Sequence, residues 1–243
     1  MIFDILTLFP EMFTSYLNTS IMGRAVRRGI VQVRCYPIRD FAGGKHRTTD
    51  DVPYGGGSGM VMKPEPLVEG IRFVRAQGPE APVLLLSPQG EPFVQKTAWE
   101  LAQQARLILV CGRYEGVDER VRLLAVDREI SVGDFVMTGG ELAAMAVVDA
   151  TARLVPGVLG DEASPREETF SAGLLEYPQY TRPREYMRQR VPEVLLSGDH
   201  KRIADWRRRQ SLERTLARRP ELIDTAALSE EERALVDPQR PKP

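Results

Sequence analysis

Short apolar runs alternating with stretches of helical composition constrain this chain more than any other feature. Runs rich in β-branched and aliphatic residues at 2–9, 30–38, 83–87, 107–112 and 129–136 predict strands, and helical composition occupies 65–77, 92–105 and 141–154. Such alternation over the first ~155 residues predicts an α/β domain on a largely parallel, buried sheet. Pro92 is expected to open its helix from the favoured first-turn position, and Pro156-Gly157 to close the last one. With 42% hydrophobic residues over 243 positions, a proper core is available and wholesale disorder is excluded. No segment approaches the ~18 consecutive apolar residues of a membrane-spanning helix; the longest run, 142–148, stops at Asp149. The N-terminus carries Asp4 and no basic segment, so it reads as a first strand, and a cytoplasmic protein is expected.

The net charge of -1 hides an uneven distribution. Residues 24–47 hold seven Lys/Arg against Asp40, and residues 201–219 hold eight against Asp205 and Glu213, each a local excess of +6. The rest of the chain therefore sums to -13. Basic islands on an acidic body suit a polyanion partner, because cationic side chains displace counterions condensed on phosphates. The second island also reads as a solvated helix face. Against that, Ile203, Trp206, Leu212 and Leu216 do not share one helical stripe, so a simple surface helix is not expected. Trp206 beside Arg207, Arg208 and Arg209 offers stacking next to phosphate contacts, or equally a core anchor. Between the two parts, residues 159–170 are polar and acidic with no hydrophobic period, as in a linker or mobile loop. From Arg184 onward the composition predicts a small helical unit.

Three candidate strands run into glycine-containing turns, at 84–92, 109–119 and 131–141. In a parallel α/β sheet ligands bind outside the carboxyl ends of the strands, so three such loops predict one nucleotide-like pocket. Neither G-x-G-x-x-G nor a P-loop occurs, which argues against a dinucleotide oxidoreductase and a P-loop NTPase. A fourth cluster, PYGGGSGM at 53–60, is either a flexible surface loop or one that folds closely over a ligand. Hydrolytic constellations and Cys/His metal spacings are missing. His46 and His200 are expected at the surface and Cys111 in the core, while Cys35 and Cys111 are too few for a disulfide scaffold. The available acids and bases are loop carboxylates: Glu115, Asp118, Asp134, Glu141, Asp161, Glu167 and Glu168. These residues alone predict an α/β nucleotide-binding protein that touches RNA.

The segments LLLSPQG, CGRYEGVDER, SVGDFVMTGGELAAM, RLVPGVLG and YPQYTRP, in this order, closely resemble the bacterial tRNA (guanine-N1)-methyltransferase family, the TrmD type. DILTLFPEMF, PYGGGSGM and WRRRQSLERT match further motifs, so the likeness spans essentially the whole chain. The resemblance implies a SPOUT-class α/β fold, a parallel sheet whose strand-end loops thread a deep trefoil knot, among the known exceptions to unknotted chains. It also implies a small helical C-terminal domain. The corresponding division is a knotted catalytic domain at 1–158, a linker or lid at 159–170 and a helical tRNA-binding domain at 171–243. The implied enzyme is a homodimer whose subunits share the active site. It would transfer a methyl group from S-adenosylmethionine to N1 of the guanosine 3′-adjacent to the anticodon.

Residue by residue, the resemblance places Leu86, Ser87, Pro88, Gln89 and Gly90 in the first cofactor loop, and Gly112, Tyr114 and Glu115 in the second. Val132, Gly133, Asp134, Phe135, Val136, Met137, Gly139 and Gly140 form the third. The helix at 141–154 would lie at the dimer interface, with Glu141, Asp149 and Arg153 within a ~120° arc at 100° per residue. Guanine N1 carries a proton and is a poor nucleophile until it leaves, so the reaction needs alignment and a base. The family's proposed base is an aspartate; the matching position here is Glu168, one methylene longer, with Glu167 as the adjacent rival. Arg153 matches the arginine that positions the target base and stabilises charge on guanine. For the anticodon stem-loop of tRNA the resemblance points to Arg24, Lys45, Tyr54, Gly55, Ser164, Arg207 and Arg208. Mg2+ is linked to the reaction in this family, but the sequence shows no dedicated ligand set and no other metal site. Two other functions fit parts of the pattern: a ribose 2′-O-methyltransferase of the same fold class, and a non-catalytic RNA-binding protein with a decayed cofactor site.

Overall fold

Strands with both faces apolar bury them by packing helices on either side, and the computed structural model does so over its first unit. It describes residues 1–160, 168–170, 173–224 and 228–236. The chain divides into two compact units, Met1–Glu162 and Ala163–Pro243. In the first unit the strands are β1 (Ile2–Thr7), β2 (Gln32–Pro37), β3 (Asp50–Asp51), β4 (Val61–Met62), β5 (Val83–Pro92), β6 (Arg106–Cys111) and β7 (Arg128–Ser131). Its helices are α1 (Thr14–Asn18), α2 (Ser20–Arg27), α3 (Pro64–Arg75), α4 (Gln95–Ala102), α5 (Glu119–Ala125) and α6 (Glu141–Ala152).

The central sheet runs β2-β1-β6-β5-β7 with every pairing parallel. Side chains alternate across it. Phe3, Ile5, Leu84, Leu86, Leu107 and Leu109 point into one core with residues of α2, α4 and α6. Leu6, Val83, Leu85, Ile108 and Val110 point into the other with residues of α3 and α5. The α/β sheet expected from the sequence is thus present.

Several boundaries differ from the expected ones. β5 extends to Pro92, so Pro92 ends a strand where a helix start was expected, and α4 begins at Gln95. Leu86 and Glu91 both pair with Ile130, which leaves residues 87–90 as an excursion between two contacts with the same strand. Pro92 fits the strand because it pairs with Ser131, whose carbonyl accepts from the Phe93 amide (2.7 Å). β7 stops at Ser131, and the segment expected to continue it to 136 is loop. Helices α1 and α2 occupy a region that periodicity left unassigned.

The sheet's amino end holds a charge cluster. Asp4, 0% exposed, accepts from Arg34 (2.5 and 2.7 Å) and from the fully buried Arg106 (2.6 Å). Arg106 also donates to the carbonyls of Val74, Arg75 and Pro79. Arg34, counted in the first basic island, is therefore committed to the core. The hydrogen bond to Asp4 is the main reason its pKa is raised.

The second unit contains a short antiparallel pair, β8 (Glu185–Tyr186) and β9 (Gln189–Arg190), then α7 (Glu193–Leu196), α8 (His200–Arg218) and α9 (Glu230–Val236). The hairpin departs from the purely helical expectation. The helical composition expected from Arg184 onward is realised in α8, His200–Arg218, opened by Asp199, whose carboxylate accepts from the Arg202 amide (3.1 Å). Its covered stripe includes the polar Gln210, Ser211, Arg214 and Thr215, which is why its apolar residues do not fall on one stripe. Thr215 shows why polar residues suffice there: its hydroxyl donates to the Ser211 carbonyl (2.6 Å) and accepts from the Leu175 amide (2.9 Å).

Candidate functional site

At the carboxyl ends of β5, β6 and β7 the three glycine-containing loops converge on a cavity of about 260 Å³. That is close to the lower end of small-molecule sites, roughly 300–1,000 Å³. Leu86, Ser87 and Pro88 line it from the first loop, and Gly112, Tyr114 and Glu115 from the second. Val132, Gly133, Phe135, Val136, Met137, Gly139 and Gly140 line it from the third. Gln89, Gly90 and Asp134 do not line it.

Two glycines are there because backbones meet. A Cβ on Gly140 would lie 2.9 Å from the Cys111 Cα and 3.0 Å from the Gly112 nitrogen. A Cβ on Gly90 would lie 2.4 Å from the Ile130 nitrogen. Those approaches bring the loops close enough to share one cavity. The Gly140 amide then donates to the Gly112 carbonyl (2.8 Å), joining the start of α6 to the end of β6. Tyr114 adopts φ +61° in the cavity wall and stays 46% exposed. A side chain in that region costs on the order of 1–3 kcal/mol and persists only where neighbours hold it. Here the Glu115 amide donates to the Met60 carbonyl (3.0 Å) and the Gly116 amide to the Arg113 carbonyl (3.2 Å).

Met60 ends the PYGGGSGM cluster, so that segment is tied directly to the cavity. The Met62 amide donates to Gly116 (2.9 Å) and the Asp118 amide to Met62 (3.0 Å). Gly59, at φ +83°, lies so near the Glu115 carboxylate that a Cβ would sit 2.1 Å from its oxygen. Tyr54 and Gly55, at the start of the cluster, are exposed, Tyr54 completely.

Arg113 and Glu141 form a hub that the sequence did not single out as a pair. The Arg113 Nε donates to Glu141 (3.0 Å), and its guanidinium stacks 4.4 Å over the Phe9 ring. Glu141, fully buried, also accepts from the Thr7 hydroxyl (2.8 Å). β1, the second loop and α6 are thereby pinned together beside the cavity. Arg113 was visible only as part of CGRYEGVDER; its partner is 28 residues away in sequence and adjacent only in the fold. Arg122, Ser131 and Thr138 are further lining residues that sequence reasoning missed. Arg122 bridges Glu119 (2.8 Å) and Glu129 (2.9 Å).

Burial raises the Cys111 thiol well above its usual range, and pushes Cys35 up to about 11. Neither thiol is ionised near neutral pH, so neither supplies a nucleophile. On α6, Asp149 accepts from the Tyr16 hydroxyl (2.9 Å), whose pKa burial and Asp149 both raise. Arg153 follows the last turn of α6, half-buried. Glu168 is half-buried in the second unit. Ser164, Asp161 and Glu167 lie outside the described residues.

Arg24, Lys45 and His46 are exposed in the first unit, while Arg47 pairs with Asp40 (3.0 Å). In the second unit His200 is exposed, Arg207 stacks 4.7 Å over Tyr177, and Arg208 pairs with Glu232 (2.6 Å). Among the described residues no group of three or more His, Cys, Asp or Glu could hold a metal ion. None of the described helices is long and apolar enough to cross a membrane.

Residues 1–225 match the family model described as tRNA (Guanine-1)-methyltransferase TrmD. The chain is 57% identical over 236 residues to the tRNA (guanine-N(1)-)-methyltransferase of Syntrophotalea carbinolica, covering 97% of this chain and 95% of that protein. It is 60% identical over 236 residues to the protein of the same name from an Anaeromyxobacter species, covering 96% and 95%. To that of Geobacillus kaustophilus it is 53% identical over 230 residues, covering 95% and 94%.

Proposed function

The chain belongs to the tRNA (guanine-1)-methyltransferase family, and from that premise we propose that it methylates N1 of the guanosine 3′-adjacent to the anticodon of tRNA. It is a methyltransferase enzyme acting on tRNA. The observation that carries the rest is the cavity built where three strand-end loops meet. Its walls combine the apolar side chains of Leu86, Val132, Phe135 and Met137 with the backbone of Gly112, Gly139 and Gly140. Such a lining suits a nucleoside with a short aliphatic tail, and S-adenosylmethionine is the methyl donor this family's chemistry requires. When bound, it supplies an already activated sulfonium methyl group. The protein's share is then alignment and proton removal.

In this reading the glycine approaches at 90 and 140 hold the loops in the knotted SPOUT arrangement, and the Arg113–Glu141–Thr7 hub keeps them from drifting apart. Glu168 takes the N1 proton of guanine, making that nitrogen a competent nucleophile, and Arg153 stabilises the negative charge that develops on the base. The target base leaves the anticodon-loop stack to reach the cavity, which is least costly in single-stranded RNA. The exposed Leu142 and Asp149 on α6 lie on one side of that helix, seven residues apart, and support a homodimer that packs there and shares its active site. The segment 159–170 acts as the lid between the knotted part and the helical tRNA-binding part. A tRNA substrate puts the enzyme in the cytoplasm, and Mg2+ would assist without a dedicated protein cage.

The test is incubation of the protein with labelled S-adenosylmethionine and unmodified tRNA carrying guanosine at the target position. Nucleoside analysis is expected to return N1-methylguanosine; ribose methylation or no incorporation refutes the proposal. Glu168→Gln is expected to lower turnover by about 100- to 10,000-fold, the usual worth of a general base, while calorimetry still records cofactor binding. If Glu167→Gln has that effect instead, the base is one residue earlier.

A further inference from the structure

The arginines of α8 differ in what holds them. Arg208 is neutralised by Glu232 (2.6 Å) and Arg209 by Glu213 (2.8 Å). Arg207 has no carboxylate partner among the described residues; its guanidinium lies on the Tyr177 ring at 4.7 Å. Stacking occupies the face of a guanidinium and leaves its in-plane N–H donors to another acceptor. Arg207 is thus oriented and undischarged, which is what a phosphate contact requires.

Next to it stands an aromatic pair. Trp206, half-buried, packs against Tyr180 with ring centroids 6.4 Å apart at 52°. Tyr180 is 48% exposed. Trp206 therefore serves as the anchor and Tyr180 as the outward ring. Every residue from 181 to 190 is exposed, and this stretch carries four arginines against Glu185, with only Arg190 paired to it. An anchored aromatic ring beside an undischarged arginine, on a cationic surface, fits unpaired RNA, whose bases stack and whose phosphates need cations.

We propose that Tyr180 and Arg207 form an RNA subsite in which Tyr180, backed by Trp206, stacks one unpaired base and Arg207 takes the adjoining phosphate. The proposal rests on the tRNA reading above and adds to it a place on the second unit where a nucleotide away from the reacting guanine is held. Arg208 then acts in the fold through Glu232, and its contribution to RNA affinity is the smaller of the two.

The experiment uses the full chain and unmodified tRNA. Base stacking on an aromatic side chain is worth about 1–3 kcal/mol, so Tyr180→Leu is expected to raise the tRNA Kd and KM about 5- to 150-fold, with the Kd for S-adenosylmethionine unchanged. Tyr180→Trp should restore affinity, because the ring and not the hydroxyl is used. Arg207→Gln should weaken binding and lower the slope of log Kd against log salt by about 0.7, one single-strand phosphate contact. Circular dichroism and sedimentation of each variant report folding and assembly. Wild-type affinity and salt slope in Tyr180→Leu and Arg207→Gln, with the parent enzyme still methylating tRNA, overturn the subsite alone. Altered sedimentation of Tyr180→Leu with tRNA affinity intact also overturns it, assigning the surface to a protein contact. A parent enzyme that neither binds nor methylates tRNA overturns the broader reading.

Discussion

In the first unit the deepest charges are built into the fold, whereas among the described residues of the second unit they stay near water. Asp4 and Arg106 are fully buried at one end of the sheet, and Glu141 is fully buried at the other, each with more than one partner. Among the described residues of the second unit, Leu174, Leu212 and Leu228 form a small core with Ile223 against them, and Arg190–Glu185, Arg209–Glu213 and Arg219–Glu221 pair at the surface. The same residue types therefore have different worth in the two places. A buried pair that loses one member strands the other without water. An exposed pair that loses one member leaves the other solvated. In the first unit the buried charges position strands and loops; in the second the described ion pairs sit at the surface.

The sharpest way to break this contrast is at the loop junction. Gly140→Val would force a branched side chain against the Cys111 Cα and the Gly112 backbone, neither of which can swing aside. Loss of cofactor binding by calorimetry and a collapsed thermal transition are expected; near-normal binding would show that the loops close without that contact. Next in size is Asp4→Ala, which leaves the buried Arg106 cation without its carboxylate. About 3–5 kcal/mol of stability should be lost in urea unfolding. The smallest effect belongs to Arg209→Ala, which removes an exposed pair one helical turn apart. It should shift stability by no more than about 0.5 kcal/mol. Equal costs for Asp4→Ala and Arg209→Ala would erase the distinction between the units.

How much could be read beforehand follows from the range of each interaction. The strands at 2–9, 83–87 and 107–112 announced themselves because burial on both faces leaves a continuous apolar run. The three loops were legible because each follows such a run and contains glycine. Pro92 misled because its ring suits a helix start and a strand end alike, and only the register with Ser131 chose between them. For the basic island the composition told of a helix, but not which face it covers, because much of the covered stripe is polar. Arg34 counted as a free cation until Asp4, 30 residues away, claimed it.

The sequence by itself determined the α/β alternation, the two-part organisation of its charge, the glycine-bearing loops and the motifs that mark the family. These are properties of neighbouring residues, and local propensity and periodicity carry them. Tertiary structure decided which glycines are needed for close backbone approach, that Arg113 belongs to Glu141, and that Arg207 stacks on Tyr177 while Arg208 pairs with Glu232. Each of those depends on groups far apart along the chain that packing brings within a few ångströms. At that distance electrostatics and sterics act, and the order of residues alone does not reveal it.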